Sequence, residues 1–183
     1  MNPVIDSLRK RRSIRKYQER QVPKEIIDSL LATAVMSPSA VNRQPWRFTV
    51  IEDKKRIAQL SGKVKKQLGL LGYAVELDGR LASKEDTIFY NAPLLIIVSA
   101  EKGDKWNGIN CGILAQTMFL AAYSLGLGSC YIGFANTLNN DPEALKELGI
   151  PESSEIIAPM IFGYPAEEKS APRREARILK WLK

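Results

Sequence analysis

The sequence predicts an α+β fold, a mixed sheet with helices packed on it. Segments with helical and strand periodicity alternate irregularly along the chain rather than as repeating strand–helix–strand units. Pro93-Leu-Leu-Ile-Ile-Val98 is apolar on both faces, as a central strand covered on both sides must be. The chain has 183 residues, 45% of them hydrophobic and 26% charged. That composition suits one domain over 1–183, able to bury roughly 70% of its unfolded surface.

In chain order, Val4, Ile5 and Leu8 mark a short first helix, followed by a basic run. Pro23 stands where a second helix can begin, and Ile26, Ile27, Leu30, Leu31, Ala34 and Val35 recur on one helical face. That helix should end before Ser37-Pro38, because proline disfavours helical geometry in its predecessor. Arg47-Phe-Thr-Val-Ile-Glu52 reads as a strand, and Asp53 as the cap of a helix carrying Ile57, Leu60, Val64 and Leu68. Residues 69–86 favour no element. After the central strand, a helix over 108–125 is apolar nearly all round, which suits the core. Gly126-Leu-Gly-Ser-Cys-Tyr-Ile-Gly133 leads into a short strand, and a helix over Pro142–Leu148 ends at Gly149 and Pro151. Ile156–Phe162 is the last strong strand.

Composition excludes several chemistries. There is no histidine, so Ser-His and Cys-His nucleophile pairs and His-ligated metals are ruled out. Cys111 and Cys130 are isolated in apolar surroundings, which suits reduced, buried thiols rather than a redox pair or a metal site. No run approaches the roughly 18 apolar residues of a membrane span, and the basic N-terminus lacks a following apolar core, so the expectation is a cytoplasmic protein without membrane contact.

The net charge is +7, and its distribution is uneven. Arg9, Lys10, Arg11, Arg12, Arg15, Lys16, Arg20 and Lys24 crowd one end; Lys169, Arg173, Arg174, Arg177, Lys180 and Lys183 crowd the other. If the ends meet they form a phosphate pocket, which needs far less surface than a nucleic-acid groove. A basic nucleic-acid module is the rival reading, but charge at chain ends without interleaved aromatics argues against it.

Gly126-Leu-Gly128 invites a dinucleotide-binding reading. Its glycines end a helix and enter a strand, the reverse of that motif, and a helix cap with a tight turn accounts for both. Arg11-Arg-Ser-Ile-Arg15 offers guanidinium forks and a hydroxyl suited to a phosphate, although a solvated basic helix end has the same composition. Ser37-Pro-Ser-Ala-Val-Asn-Arg-Gln-Pro-Trp46 is a proline-stiffened loop presenting Ser39, Asn42 and Gln44, the kind of rigid polar edge a heterocycle requires. Trp46 reads as packing; Tyr90 and Trp106 suit either packing or pocket lining.

Arg11–Tyr17, Ser37–Phe48, Phe89-Tyr-Asn-Ala-Pro93, Ala121–Gly133 and Phe162-Gly-Tyr-Pro165 run in order over nearly the whole chain and resemble the signatures of the nitroreductase family. The resemblance implies an α+β flavoprotein with a largely antiparallel sheet flanked by helices. It also implies a homodimer interwoven by its termini, with one FMN at each interface. Position by position, it assigns Arg11, Arg12 and Ser13 to the phosphate and ribityl chain, and Arg15 to the flavin's polar edge. Pro38, Ser39, Ala40, Asn42 and Gln44 match a loop supplied by the partner subunit. Tyr131, Ile132 and Gly133 match the segment beside the isoalloxazine, and Arg173 and Arg174 the basic pair that closes on the phosphate.

The implied activity is reduction of nitroaromatics, quinones or similar small acceptors by NADH or NADPH, with flavin N5 carrying the chemistry and no side chain as acid or base. Dehalogenation, heterocycle oxidation and flavin fragmentation are alternatives on the same scaffold. Many relatives carry a longer helical insertion where residues 66–88 are short here, and some have Pro and Glu in place of Cys130 and Ile132. Those departures leave the acceptor and the nicotinamide open.

Overall fold

The computed structural model describes residues 2–73 and 79–182. Five α-helices, α1 (Pro3–Lys10), α2 (Lys24–Ala34), α3 (Lys54–Leu70), α4 (Asn107–Ser124) and α5 (Pro142–Glu147), surround four strands, β1 (Arg47–Ile51), β2 (Leu94–Glu101), β3 (Gly128–Tyr131) and β4 (Ser154–Gly163). The sheet runs β1-β2-β4-β3 with every neighbouring pair antiparallel. The parallel component of the expected mixed sheet is a single bridge between Ser13 and Ser129. Two 3-10 segments, Ala40–Asn42 and Gly133–Asn140, complete the described elements. Of the stretch without a clear periodicity, α3 takes in 69–70, turns follow, and 74–78 lie outside the described residues.

Helix starts follow local chemistry. The side chains of Asn2, Asp53 and Asp141 accept hydrogen bonds from first-turn N–H groups of α1, α3 and α5, and Pro3 and Pro142 stand at helix positions where no N–H is needed. α2 stops at Ala34, three residues before Ser37-Pro38.

The sheet divides the core in two. Leu95 and Ile97 of β2 pack with Ile57, Leu60, Val64 and Leu68 of α3, while Leu94, Ile96 and Val98 face Leu30 of α2 and Leu114 and Met118 of α4. Alternation on β2 therefore feeds two apolar layers, so all of Leu94–Ala100 is buried. α4 is less completely enclosed than its composition suggests: Ile109 and Ile113 face outward, as do Val4, Ile5 and Leu8 of α1. These side chains make apolar stripes on neighbouring helices.

Candidate functional site

The site begins with the chain between α1 and α2. Residues 13–17 lie along β3 and then meet the segment after β4: Ile14 N–H donates to the Ser129 carbonyl (3.0 Å), Gln18 N–H to that of Tyr164 (2.9 Å), and Ala166 N–H to that of Lys16 (2.9 Å). Extended geometry turns Ile14 into the core and Ser13 and Arg15 to the opposite side. Gly128 permits this approach, because a Cβ there would come within 2.8 Å of the Ile14 side chain. The helix-cap explanation thus holds for Gly126, at φ 76°, whereas Gly128 is required by close packing.

The two basic ends meet. Arg11, Arg12, Ser13 and Arg15 line a cleft of about 500 Å³ with Lys169, Ser170 and Arg174, and among the described residues Glu168 is the one carboxylate lining it beside these five cations. Arg12 donates through Nε to the Ser170 carbonyl (3.2 Å) and through Nη1 to that of Arg9 (2.7 Å), while Lys169 Nζ donates to the Ser13 carbonyl (3.0 Å). Glu167 ties the ends further, accepting from Arg15 N–H (2.5 Å) and pairing with Lys169 (3.0 Å). Burial, then the charges of Arg174 and Arg12, lowers the pKa of Arg11. Positive charge is therefore concentrated beyond what the local carboxylates compensate, the electrostatic condition for holding an anion. Arg173 does not line this cleft; it is paired with Glu175 at the surface.

A second cleft, of about 480 Å³, is lined by Arg15, Arg80, Ile88, Tyr90, Tyr131, Ile132, Gly133 and Phe134. Arg15 lines both clefts, so a cationic end passes into an aromatic-walled one. Tyr131 is held by its hydroxyl donating to the Ile157 carbonyl. Tyr90 and Asn91 have φ of 57° and 53°, and the Asp86 carboxylate accepts from the N–H groups of Ile88, Phe89 and Asn91 to hold that turn. The other non-glycine residues with positive φ among those described are Val41, Asn42 and Gln44. Such conformations cost on the order of 1–3 kcal/mol each and concentrate where function fixes a side chain.

Residues 38–44 line neither cleft. The segment is bolted to α4 and the turn before it: Ala40 N–H donates to Asn110 Oδ1 (3.0 Å), the preceding Ser37 Oγ to Thr117 Oγ1 (2.9 Å), and Arg43 pairs with Asp104 ahead of the helix (2.8 Å). Inside it, Gln44 N–H donates to Ser39 Oγ (2.9 Å) and Gln44 Nε2 to Asn42 Oδ1 (3.1 Å), leaving Val41 and its neighbours projecting outward. Trp46 is buried beneath as packing, Trp106 is exposed at the start of α4, and Tyr90 both packs on the core and lines the aromatic cleft.

Sequence reasoning did not single out Glu167, Asp86 or Asn110, and it named Lys169 only as one of the basic residues crowding the C-terminal end. Each acts on backbone groups far away in the chain or in a turn without periodicity, so no spacing signals it. The exception was legible in principle: Asn107 and Asn110 are polar residues one turn apart in an otherwise apolar helix, and both are buried. Cys111 and Cys130 are buried and unpaired, with burial raising both thiol pKa values, that of Cys111 to about 11. Among the described residues no helix is long and apolar enough to cross a membrane.

Fold and clefts together define an α+β protein with a cationic cleft and an aromatic-walled one that share Arg15. The chain belongs to the nitroreductase family, whose model matches residues 8–164, and is an oxidoreductase. It is 34% identical over 169 residues to a protein of Methanothermobacter thermautotrophicus whose name pairs NADH dehydrogenase with NAD(P)H nitroreductase, covering 90% of this chain and 78% of that one. It is 28% identical to an iodotyrosine deiodinase of Thermotoga neapolitana, with 97% of each chain covered. A nitroreductase from Bacteroides fragilis, solved with bound FMN, superposes with a TM-score of 0.87 at 30% identity, covering 100% of this chain and 98% of that one.

Proposed function

We propose that this protein is a homodimeric enzyme that holds FMN and passes electrons from NADH or NADPH to nitroaromatics, quinones or similar small acceptors. The observation that carries this reading is that Arg15 joins a cleft of net positive charge to one walled by aromatic residues. A ring system bearing a phosphate tail has that distribution of charge and shape. Bound FMN supplies reversible two-electron chemistry at N5, which agrees with a chain that has no histidine.

In this reading Arg11, Arg12, Ser13 and Arg174 hold the phosphate, with Lys169 adding a fifth donor group. Arg15 takes the polar edge of the ring, where its positive charge favours added electrons. Tyr131, Ile132 and Gly133 support the ring. Pro38, Ser39, Ala40, Asn42 and Gln44 face the flavin of the second subunit, consistent with a loop that is rigidly held on α4 yet turned away from its own chain's clefts. Arg173 serves the phosphate less directly than Arg174. The exposed stripes of α1 and α4 supply the dimer's apolar contact. A cleft of about 650 Å³ beside β1, lined in part by Glu52, Asp53 and Glu147, complements the basic tail after β4 and suits termini that cross between subunits. Reductive dehalogenation in the same site is the second reading, favoured by the deiodinase relative.

Titration of apoprotein with FMN tests the proposal. Arg174→Ala and Arg12→Ala should each weaken binding by roughly 1.5–3 kcal/mol, the worth of a charge-assisted hydrogen bond. Unchanged affinity in both variants removes the phosphate assignment. A protein that is colourless as purified and takes up no FMN removes the flavoprotein reading altogether.

A further inference from the structure

The aromatic cleft contains a charge that the flavin reading does not use. Resting on that reading, which gives Arg15 to the ring's polar edge, we propose that Arg80 is the anchor for a carboxylate on the acceptor. The preferred acceptor is then an aromatic acid rather than a neutral ring.

Four observations support this. Arg80 and Arg15 line the same cleft, and among the described residues no carboxylate lines it with them. Among the described residues Arg80 has no salt-bridge partner, unlike Arg43, Arg56 and Arg173. Two guanidinium groups facing one cleft repel each other until an anion enters, so an anionic ligand is favoured over a neutral one of equal shape. The third observation is that the backbone bearing Arg80 is held in place: Thr87 Oγ1 donates to the Arg80 carbonyl (2.8 Å), and Lys65 Nζ reaches from α3 to the carbonyls of Ser83 (2.9 Å) and Glu85 (2.5 Å). Finally, the strained turn at Tyr90 and Asn91, gripped by Asp86, sets a phenol ring in the cleft's wall with Tyr131 and Phe134 beside it. Aromatic walls select a flat ring, and a guanidinium fork selects a carboxylate on it in bidentate geometry.

The experiment uses FMN-loaded protein and two isosteric probes that cannot be reduced, benzoate and benzamide, titrated calorimetrically into wild type, Arg80→Gln and Arg80→Lys. Benzoate should bind wild type at least about tenfold more tightly than benzamide, the equivalent of one charge-assisted hydrogen bond. Arg80→Gln should abolish that preference and Arg80→Lys restore part of it. In turnover, the ratio of kcat/KM for 4-nitrobenzoate to that for 4-nitrobenzamide should fall about tenfold in Arg80→Gln. An equal ratio in wild type and Arg80→Gln overturns the assignment of Arg80 while FMN content and nitrobenzamide reduction show the flavoprotein reading intact. A fall in the NADPH-to-NADH preference with no change in the acceptor ratio also overturns it, placing Arg80 on the donor's phosphate. Loss of FMN in wild type is a separate result and overturns both readings.

Discussion

At the scale of single residues, the proposed phosphate cradle is tied together by one carboxylate, Glu167. Burial alone raises the pKa of Glu167, but the Arg15 N–H and the Lys169 ammonium outweigh it and hold the carboxyl below its ordinary value. A carboxyl lowered by folding stabilises the native form above its unfolded pKa of about 4.3, and that contribution is lost as pH falls through the lower folded value. FMN retention in wild type should therefore decline as pH falls through that acid window. Glu167→Gln should hold FMN more weakly at neutral pH and lose this part of the acid dependence; flavin release followed by fluorescence from pH 3 to about 7 checks it. A variant with the wild-type profile shows that Glu167 does not set the cradle. The thiols make the opposite prediction. Raised pKa values keep Cys111 and Cys130 protonated near neutrality, so Cys111→Ala and Cys130→Ala should leave flavin reduction by NADH or NADPH intact in stopped flow, with any loss appearing as a lower Tm. Lost turnover at full flavin content and normal Tm indicates a catalytic thiol.

Among elements, β3 and the extended segment beside it form the floor of the site, and Gly128 is where they touch. Gly128→Ala places a methyl group 2.8 Å from the Ile14 side chain, against backbone that is fixed by the bridge to Ser129. The segment carrying Arg11, Ser13 and Arg15 must shift, so FMN affinity should fall at least about tenfold while the sheet's own cooperative unfolding is retained. Ordinary affinity in that variant means the contact is not needed for the cradle. Gly126→Ala meets no atom within 4 Å but does occupy a left-handed position, so its effect should be confined to stability, about 1 kcal/mol. A thermal melt and an FMN titration on both variants separate the two roles. The core elements themselves were legible because each carries its own period or cap: Asp53 before Ile57, Leu60, Val64 and Leu68, or the unbroken apolar run of β2.

At the scale of the whole molecule, exposed apolar side chains call for a partner. Val4, Ile5 and Leu8 of α1, Ile109 and Ile113 of α4, and Ile178, Leu179, Trp181 and Leu182 of the tail are all open to solvent in one chain. Sedimentation at low micromolar concentration should show a dimer with two FMN and no monomer. Replacing Ile109 and Ile113 together by Glu should yield monomers depleted of flavin, because the loop fixed on α4 then reaches no second site. A monomer that keeps its FMN shows that each site is built by one chain.

What the sequence determined by itself was local: where helices start, which strand lies in the middle, and that a histidine-free chain with basic ends must rely on chemistry from a bound group. Arg11, Arg12, Ser13 and Arg15, and Arg173 and Arg174, could be nominated because the motifs around them resemble those of the nitroreductase family; composition alone fitted a solvated basic helix end equally well. The tertiary structure decided which nominees meet. It brought Arg174 and Lys169 to the cradle and left Arg173 with Glu175, a distinction that two adjacent arginines do not carry in their order. It also turned Gly128 from a turn residue into a contact, and Glu167 from one surface charge among many into the tie between chain ends. The physical reason is common to these cases. Periodicity and caps arise from neighbours within about four residues, whereas the close approach at Gly128 and the partners of Glu167 are fixed only when packing joins distant segments of the chain.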